Sequence, residues 1–153
     1  MRLIDDRDRV ALVLFNDKVP IIPDPRPMAS ARSALIDTIG GVFAQGGTAL
    51  YDAIGAAHAK LDDAARAQPK RMHAMVVLSD GRDEHSKLPL WELTPKISPS
   101  AETATAVRLF TIAYGPKADP KVLSDIAEAG GGASFKGDAN TIRQIYQDLA
   151  AFF

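Results

Sequence analysis

The chain contains no cysteine among its 153 residues, which excludes a disulfide framework and any thiolate metal site. No stretch approaches the ~18 consecutive apolar residues of a membrane-spanning helix. The opening Met1-Arg-Leu-Ile-Asp-Asp6 is too short and too acidic to read as a signal peptide. Neither charge is in excess: 18 Lys and Arg stand against 19 Asp and Glu, and the basic residues are scattered rather than clustered. A nucleic-acid partner is therefore not expected. The usual catalytic signatures are missing as well. Ser79 lies outside any Gly-x-Ser-x-Gly elbow, and no Gly-x-x-x-x-Gly-Lys-Ser/Thr phosphate loop occurs. Gly130 to Gly132 follows a helical pattern instead of opening one, so it reads as a helix stop. What is present is a 46% hydrophobic composition, enough for one domain with its own core, expected to be soluble as it stands.

The stretch from His73 to Glu84 organises the rest. Met75 to Leu78 is an unbroken apolar run rich in β-branched residues, which predicts a strand buried on both faces. Ser79, Asp80 and Gly81 follow at once. In an open parallel sheet ligands sit just past the carboxyl ends of strands, so Asp80 is placed as a hard oxygen donor on a rigid support.

Upstream, Arg9 to Phe15 and Lys18 to Ile22 predict two strands joined by turn chemistry at Asn16-Asp17, a β-hairpin whose Pro20 marks a sheet edge. Ser30 is placed as the N-cap of a helix through Ile39, stopped by Gly40-Gly41. A loop at residues 45–48 leads into a helix from about Ala49 to Arg66. Downstream, Leu88 to Leu93 predicts a helical turn carrying Trp91, broken by Pro95 and Pro99, and Ala101 to Ala106 predicts a short helix. Val107 to Tyr114 is a strand, Asp119-Pro120 caps a helix to Ala129, and Ala133 to Lys136 is a short strand. Asp138 opens a last helix with Ile142, Ile145, Leu149 and Phe152 on one face. Strands alternating with helices imply parallel crossovers. The expected fold is α/β, a three-layer Rossmann-like sheet, mostly parallel, with an antiparallel hairpin at one edge.

Five stretches together resemble the von Willebrand factor type A domain: Asp8 to Phe15, Gly46-Gly-Thr-Ala-Leu-Tyr-Asp-Ala53, Val76-Val-Leu-Ser-Asp-Gly81, Val107 to Gly115, and Ile126 to Gly131 followed by Ile145-Tyr146. The tail from Gly137 to Phe153 also resembles bacterial proteins in which such a domain follows a solute-binding module, a setting that would place the parent outside the cytoplasm; the compartment of this chain stays open. The resemblance implies a non-enzymatic adhesion or assembly module with a metal-ion-dependent adhesion site. Its ligands would be an Asp-x-Ser-x-Ser loop after a central first strand, a threonine that falls on Thr48, and an aspartate that falls on Asp80. Such oxygen donors suit Mg²⁺ or Mn²⁺, and a partner carboxylate would complete the shell. Gly47, Gly81, Asp83 and Glu84 are the candidate partner contacts.

The sequence departs from that pattern. No Asp-x-Ser-x-Ser occurs in it, and no central strand fits before Arg9. Residues 1–153 are expected to form a single shortened domain with an incomplete metal site, binding Mg²⁺ or Mn²⁺ weakly or not at all on its own. The lost strand would leave free sheet edges, through which the hairpin docks on the anchor strand or two copies associate as a homodimer. Plainer roles compete: Thr48 as a helix N-cap, Asp80 as a turn residue before glycine, and Asp83 and Glu84 as a solvated loop. An enzymatic alternative, a phosphoacceptor or nucleotide-binding enzyme using Asp80, would need further acidic residues and a lysine beside it. A structural fragment with relic ligand positions is the third.

Overall fold

A computed structural model describes residues 4–43, 45–99 and 107–152. The predicted helix over 101–106 lies outside them. The architecture is α/β. In chain order, β1 (Arg9–Val10) and β2 (Arg26–Pro27) form a small antiparallel pair, followed by α1 (Met28–Gly40) and α2 (Leu50–Ala67). Then come β3 (Ala74–Ser79), α3 (Leu90–Ile97), β4 (Arg108–Tyr114), α4 (Pro120–Ala129), β5 (Gly131–Gly137) and α5 (Ile142–Ala150). The main sheet is parallel, in the order β3-β4-β5.

β4 is the spine of the molecule, buried from Leu109 to Ala113. On one face Leu50 and Ile54 of α2, Leu93 and Ile97 of α3, and Leu123 and Ile126 of α4 close over Val77, Leu109 and Ala113. On the other, Ile145 and Leu149 of α5 cover Phe110 and Ile112. Phe152 extends that contact, its ring centroid 5.3 Å from Phe110. Inside the first layer the buried Thr111 hydroxyl lies 2.8 Å from both the Leu123 carbonyl and the Ser134 hydroxyl, tying α4 and β5 to β4.

Three expectations need correction. The hairpin of residues 9–15 and 18–22 does not form. Only Arg9–Val10 is a strand, and its partner is Arg26–Pro27. The turn chemistry survives, since the Lys18 amide donates to Asn16 Oδ1 at 2.9 Å, but the flanking apolar runs have no ladder. This small pair does not join the main sheet, a two-stranded ribbon is marginal by itself, and Pro20, Pro23 and Pro25 carry no N–H to contribute. The hairpin also does not dock on β3, whose outer edge pairs with no described residue.

Secondly, β3 is not buried on both faces. Val77 and Ser79 point into the α2–α3 layer, while Val76 and Leu78 are 38% and 43% exposed. β3 is an edge strand, and on the opposite face only its first residue, Ala74, packs against the cluster formed by α5 with Phe110 and Ile112. Thirdly, Ser30 is not an N-cap. α1 starts at Met28 after Pro27, and the Ser30 hydroxyl donates back to the Pro27 carbonyl at 3.0 Å.

Elsewhere the boundaries agree to within a few residues. α3 runs through Pro95, because fully buried Leu93 and Ile97 hold both of its turns in the core. Asp119 caps α4 by accepting from the Val122 amide at 3.1 Å. β5 begins within the glycine run. A Cβ at Gly132 would stand 2.7 Å from the Leu109 carbonyl carbon and nearer still to its oxygen, so only glycine lets β5 approach β4 there.

Candidate functional site

The carboxyl end of β3, the loop before α2 and the turn at Asn16 meet at one rim of the sheet. Ser79 closes the strand with a local turn, its hydroxyl donating to the Gly81 carbonyl at 3.1 Å. That turn leaves Asp80 exposed to solvent. Thr48 comes to the same place from the other direction. Its Oγ1 lies 3.2 Å from the point a Gly81 side chain would occupy. Thirty-two residues apart in the chain, Thr48 and Asp80 therefore sit at the same rim, separated by the Gly81 position.

Thr48 is not the cap of α2. The N-cap position is Ala49, which has no capping side chain. The loop after β3 supplies what is missing. Asp83 accepts from the Tyr51 amide at 3.2 Å, and Ser86 Oγ accepts from the Asp52 amide at 3.0 Å. The Ser86 hydroxyl in turn donates to Asp83. Asp52 returns the contact, accepting from the Lys87 and Leu88 amides at 3.0 and 2.8 Å. The Thr48 carbonyl receives the amides of Glu84 and His85 at 2.9 and 3.1 Å. Asp83 is thus a trans cap of α2 rather than a solvated loop residue. The Glu84 side chain is exposed.

Two more features were not legible in advance. The His85 ring lies on Gly47, its Nε2 being 3.1 Å from where a Cβ would project, with Cε1 and Nδ1 closer. Gly46, at φ +81°, packs on Asp17, whose Oδ1 would lie 2.8 Å from a Cβ there. The Ala49 amide donates to the Asn16 carbonyl at 2.7 Å, which fixes that turn to the same rim. Across the rim, Arg82 approaches Asp119 at 3.8 Å, a long pair with an exposed arginine that is worth little. Tyr51 stands between these elements. Burial pushes its hydroxyl above the ordinary tyrosine range, and the charges of Asp83 and Asp119 push in the same direction.

This order of elements agrees with a family match. The family model for the von Willebrand factor type A domain covers residues 1–148. The chain belongs to the von Willebrand factor type A family. Two solved structures are similar. One, a von Willebrand factor type A protein from Catenulispora acidiphila, matches 97% of this chain with a TM-score of 0.72 and 22% identity; this chain spans 34% of its length. The other, the conserved hypothetical protein BatB from Bacteroides thetaiotaomicron, matches 97% of this chain and 80% of its own, with a TM-score of 0.65 and 16% identity. At such identities the likeness is one of fold. No curated protein matches the sequence. Von Willebrand factor type A domains are commonly protein-interaction modules, generally without enzymatic activity.

The family's metal does not find a complete donor set in these residues. Thr48 offers a hydroxyl and Asp80 a carboxylate. The Asp83 carboxylate is occupied by the α2 amide and Ser86. Among the described residues no group of three or more His, Asp or Glu gathers to hold an ion. Mg²⁺ sheds water reluctantly and demands an octahedral oxygen shell, which one hydroxyl and one carboxylate do not define. No helix among the described residues is long and apolar enough to cross a membrane.

Proposed function

We propose that this chain is a protein-binding module of the adhesion or assembly type, and that its recognition surface is the rim carrying Thr48, Asp80, Gly81 and Glu84, with Gly47 beneath. The observation that supports this reading is the approach of Thr48 to the Ser79–Gly81 turn, 3.2 Å at Gly81. An ordinary cap does not account for it, because the cap of α2 is made by Asp83 and Ser86. A threonine hydroxyl and an exposed carboxylate at one rim form a partial oxygen site, which an acidic side chain of a protein partner would complete around Mg²⁺ or Mn²⁺. Without that partner the ion is held weakly or not at all. Calorimetric titration of Mg²⁺ and Mn²⁺ into the chain, with Asp80→Ala as control, tests this. Negligible heat at micromolar metal is the expected result for both proteins. Tight binding abolished by Asp80→Ala would mean a complete site and contradict the proposal.

The free edge of β3 gives the same module a route to self-association. Its outer backbone groups pair with no described residue, and no charged side chain interrupts Ala74 to Ser79. Light scattering is expected to show a mass that rises with concentration; a strict monomer at high concentration removes this part of the reading.

A further inference from the structure

The contacts between residues 48–52 and 83–88 are reciprocal, and that reciprocity has a consequence of its own. Six hydrogen bonds cross between the two segments, and they run both ways. The loop's Asp83 and Ser86 receive the helix amides of Tyr51 and Asp52. The helix's Asp52 receives the loop amides of Lys87 and Leu88, and the Thr48 carbonyl receives those of Glu84 and His85. Each segment holds acceptors for donors that the other would otherwise leave orphaned. A helix capped by its own N-cap residue keeps its first turn when a neighbouring loop moves away. α2 has no such cap, so its first turn and the loop stand or fall together.

We propose that this interlock is a latch that sets the rim, with Asp52, Asp83 and Ser86 as its positioning residues. When closed, it fixes the backbone of Thr48 from one side and the loop leading from Asp80 from the other, and so defines the spacing between the two side chains. When open, α2 frays at Leu50–Asp52, residues 83–88 lose their anchors, and the rim loses its geometry without unfolding of β4. The part that concerns binding rests on the rim reading given above; the latch itself does not. Opening is cooperative: losing either carboxylate frees the amides it holds on the opposite segment, and that segment, once loosened, no longer holds its own acceptor in place for the first. That behaviour separates a latch from two independent caps, which would fail separately.

Amide hydrogen exchange on the whole 153-residue chain, read residue by residue by NMR, tests the proposal. In Asp83→Ala the amides of Lys87 and Leu88, which bond to the unaltered Asp52, are expected to exchange more than about tenfold faster, while β4 amides keep their rates. In Asp52→Ala the Tyr51 amide, which bonds to the unaltered Asp83, is expected to lose protection to a similar degree. The double variant is expected to match either single one. Asp83→Asn keeps an acceptor oxygen and restores near-original rates, which also guards against a misfolded alanine variant. Unchanged protection of Lys87 and Leu88 in Asp83→Ala overturns the latch, as does additivity in the double variant or equal loss at β4. Mn²⁺ serves as the probe for the rim: line broadening at Thr48 and Asp80 at millimolar metal is expected in the original chain and is expected to weaken in Asp83→Ala. Absence of broadening in the original chain even when acetate supplies the missing partner carboxylate counts against the rim reading alone, since the exchange result stands without it.

Discussion

Gly132→Ala is the sharpest test of how the sheet is built. The added methyl would lie 2.7 Å from the Leu109 carbonyl carbon, whereas carbon atoms rest at about 3.5–4.0 Å. The obstacle is backbone in the buried central strand, so no side chain can swing aside. β5 must retreat from β4 by about 1 Å to regain van der Waals distance. The pairs on either side of the glycine, Leu109 with Gly131 and Thr111 with Ser134, take the strain, at a point where the register already shifts. The Thr111–Ser134 hydroxyl contact at 2.8 Å stretches with them. Weakening two or three hydrogen bonds at about 1 kcal/mol each gives an expected loss of about 2–3 kcal/mol. Urea denaturation followed by circular dichroism should show a lower midpoint at an unchanged slope. Gly40→Ala is the matched control. A Cβ there meets nothing within 4 Å, at the end of helix α1. The same substitution should stabilise by up to about 1 kcal/mol, because alanine has less backbone freedom to lose. A loss below about 1 kcal/mol at Gly132 would mean that β5 does not lie against Leu109 as described.

Two further outcomes follow from the same structure. Burial holds the His58 imidazole below its ordinary value of 6.5, with the Asp62 charge opposing. The unfolded chain therefore takes up this proton first, so the contribution of neutral His58 is complete above pH 6.5 and is lost as the pH falls. Melting temperatures of the original chain and of His58→Gln should diverge less at neutral pH than at about pH 5, with the original losing more; parallel curves would refute the assignment. Gly47→Ala places a methyl against the exposed His85 ring, a side chain free to rotate away. Stability should fall by less than about 1 kcal/mol, and His85→Ala in the same chain should restore it; a larger, unrescued loss would show that the loop backbone, not the ring, was displaced.

What the sequence revealed depended on how local each signal is. Asp119-Pro120 announces a helix start within three residues, and β4 reads as a strand because every position from Leu109 to Ala113 is apolar or buried. The apolar run from Val10 to Phe15 carries as strong a strand signal, yet forms almost none, since a strand exists only if another lies beside it. The faces of β3 were misread for a related reason: whether Val76 and Leu78 are covered depends on sheet order and on where α5 lands. The approach of Thr48 to the Asp80 turn was legible through the matching pieces and their order. The latch was not, because its partners stand 32 to 36 residues apart, and Asp52, Asp83 and Ser86 look like any polar residues of a helix and a loop. The helix start gave no clue either, because Thr48 just before Ala49 reads in the sequence as an ordinary N-cap, and only the structure shows that it is not one.

The fate of residues 11–25 has a practical side. They are tied down at one end by the pairing of Val10 with Arg26 and near the middle by the bond from Ala49 to Asn16, with Asp24 pinned to Lys60 farther on. Between those ties the backbone runs without a ladder, and Lys18 stands exposed at the turn. A protease draws its substrate into an extended form, and here only the local Asn16–Lys18 turn, not a ladder, has to open to give it. Cleavage at Lys18 would cut the chain without touching the main sheet, the amino-terminal piece staying attached through the β1–β2 pair and the Asn16 carbonyl, a nick visible on a denaturing gel and silent in a native one.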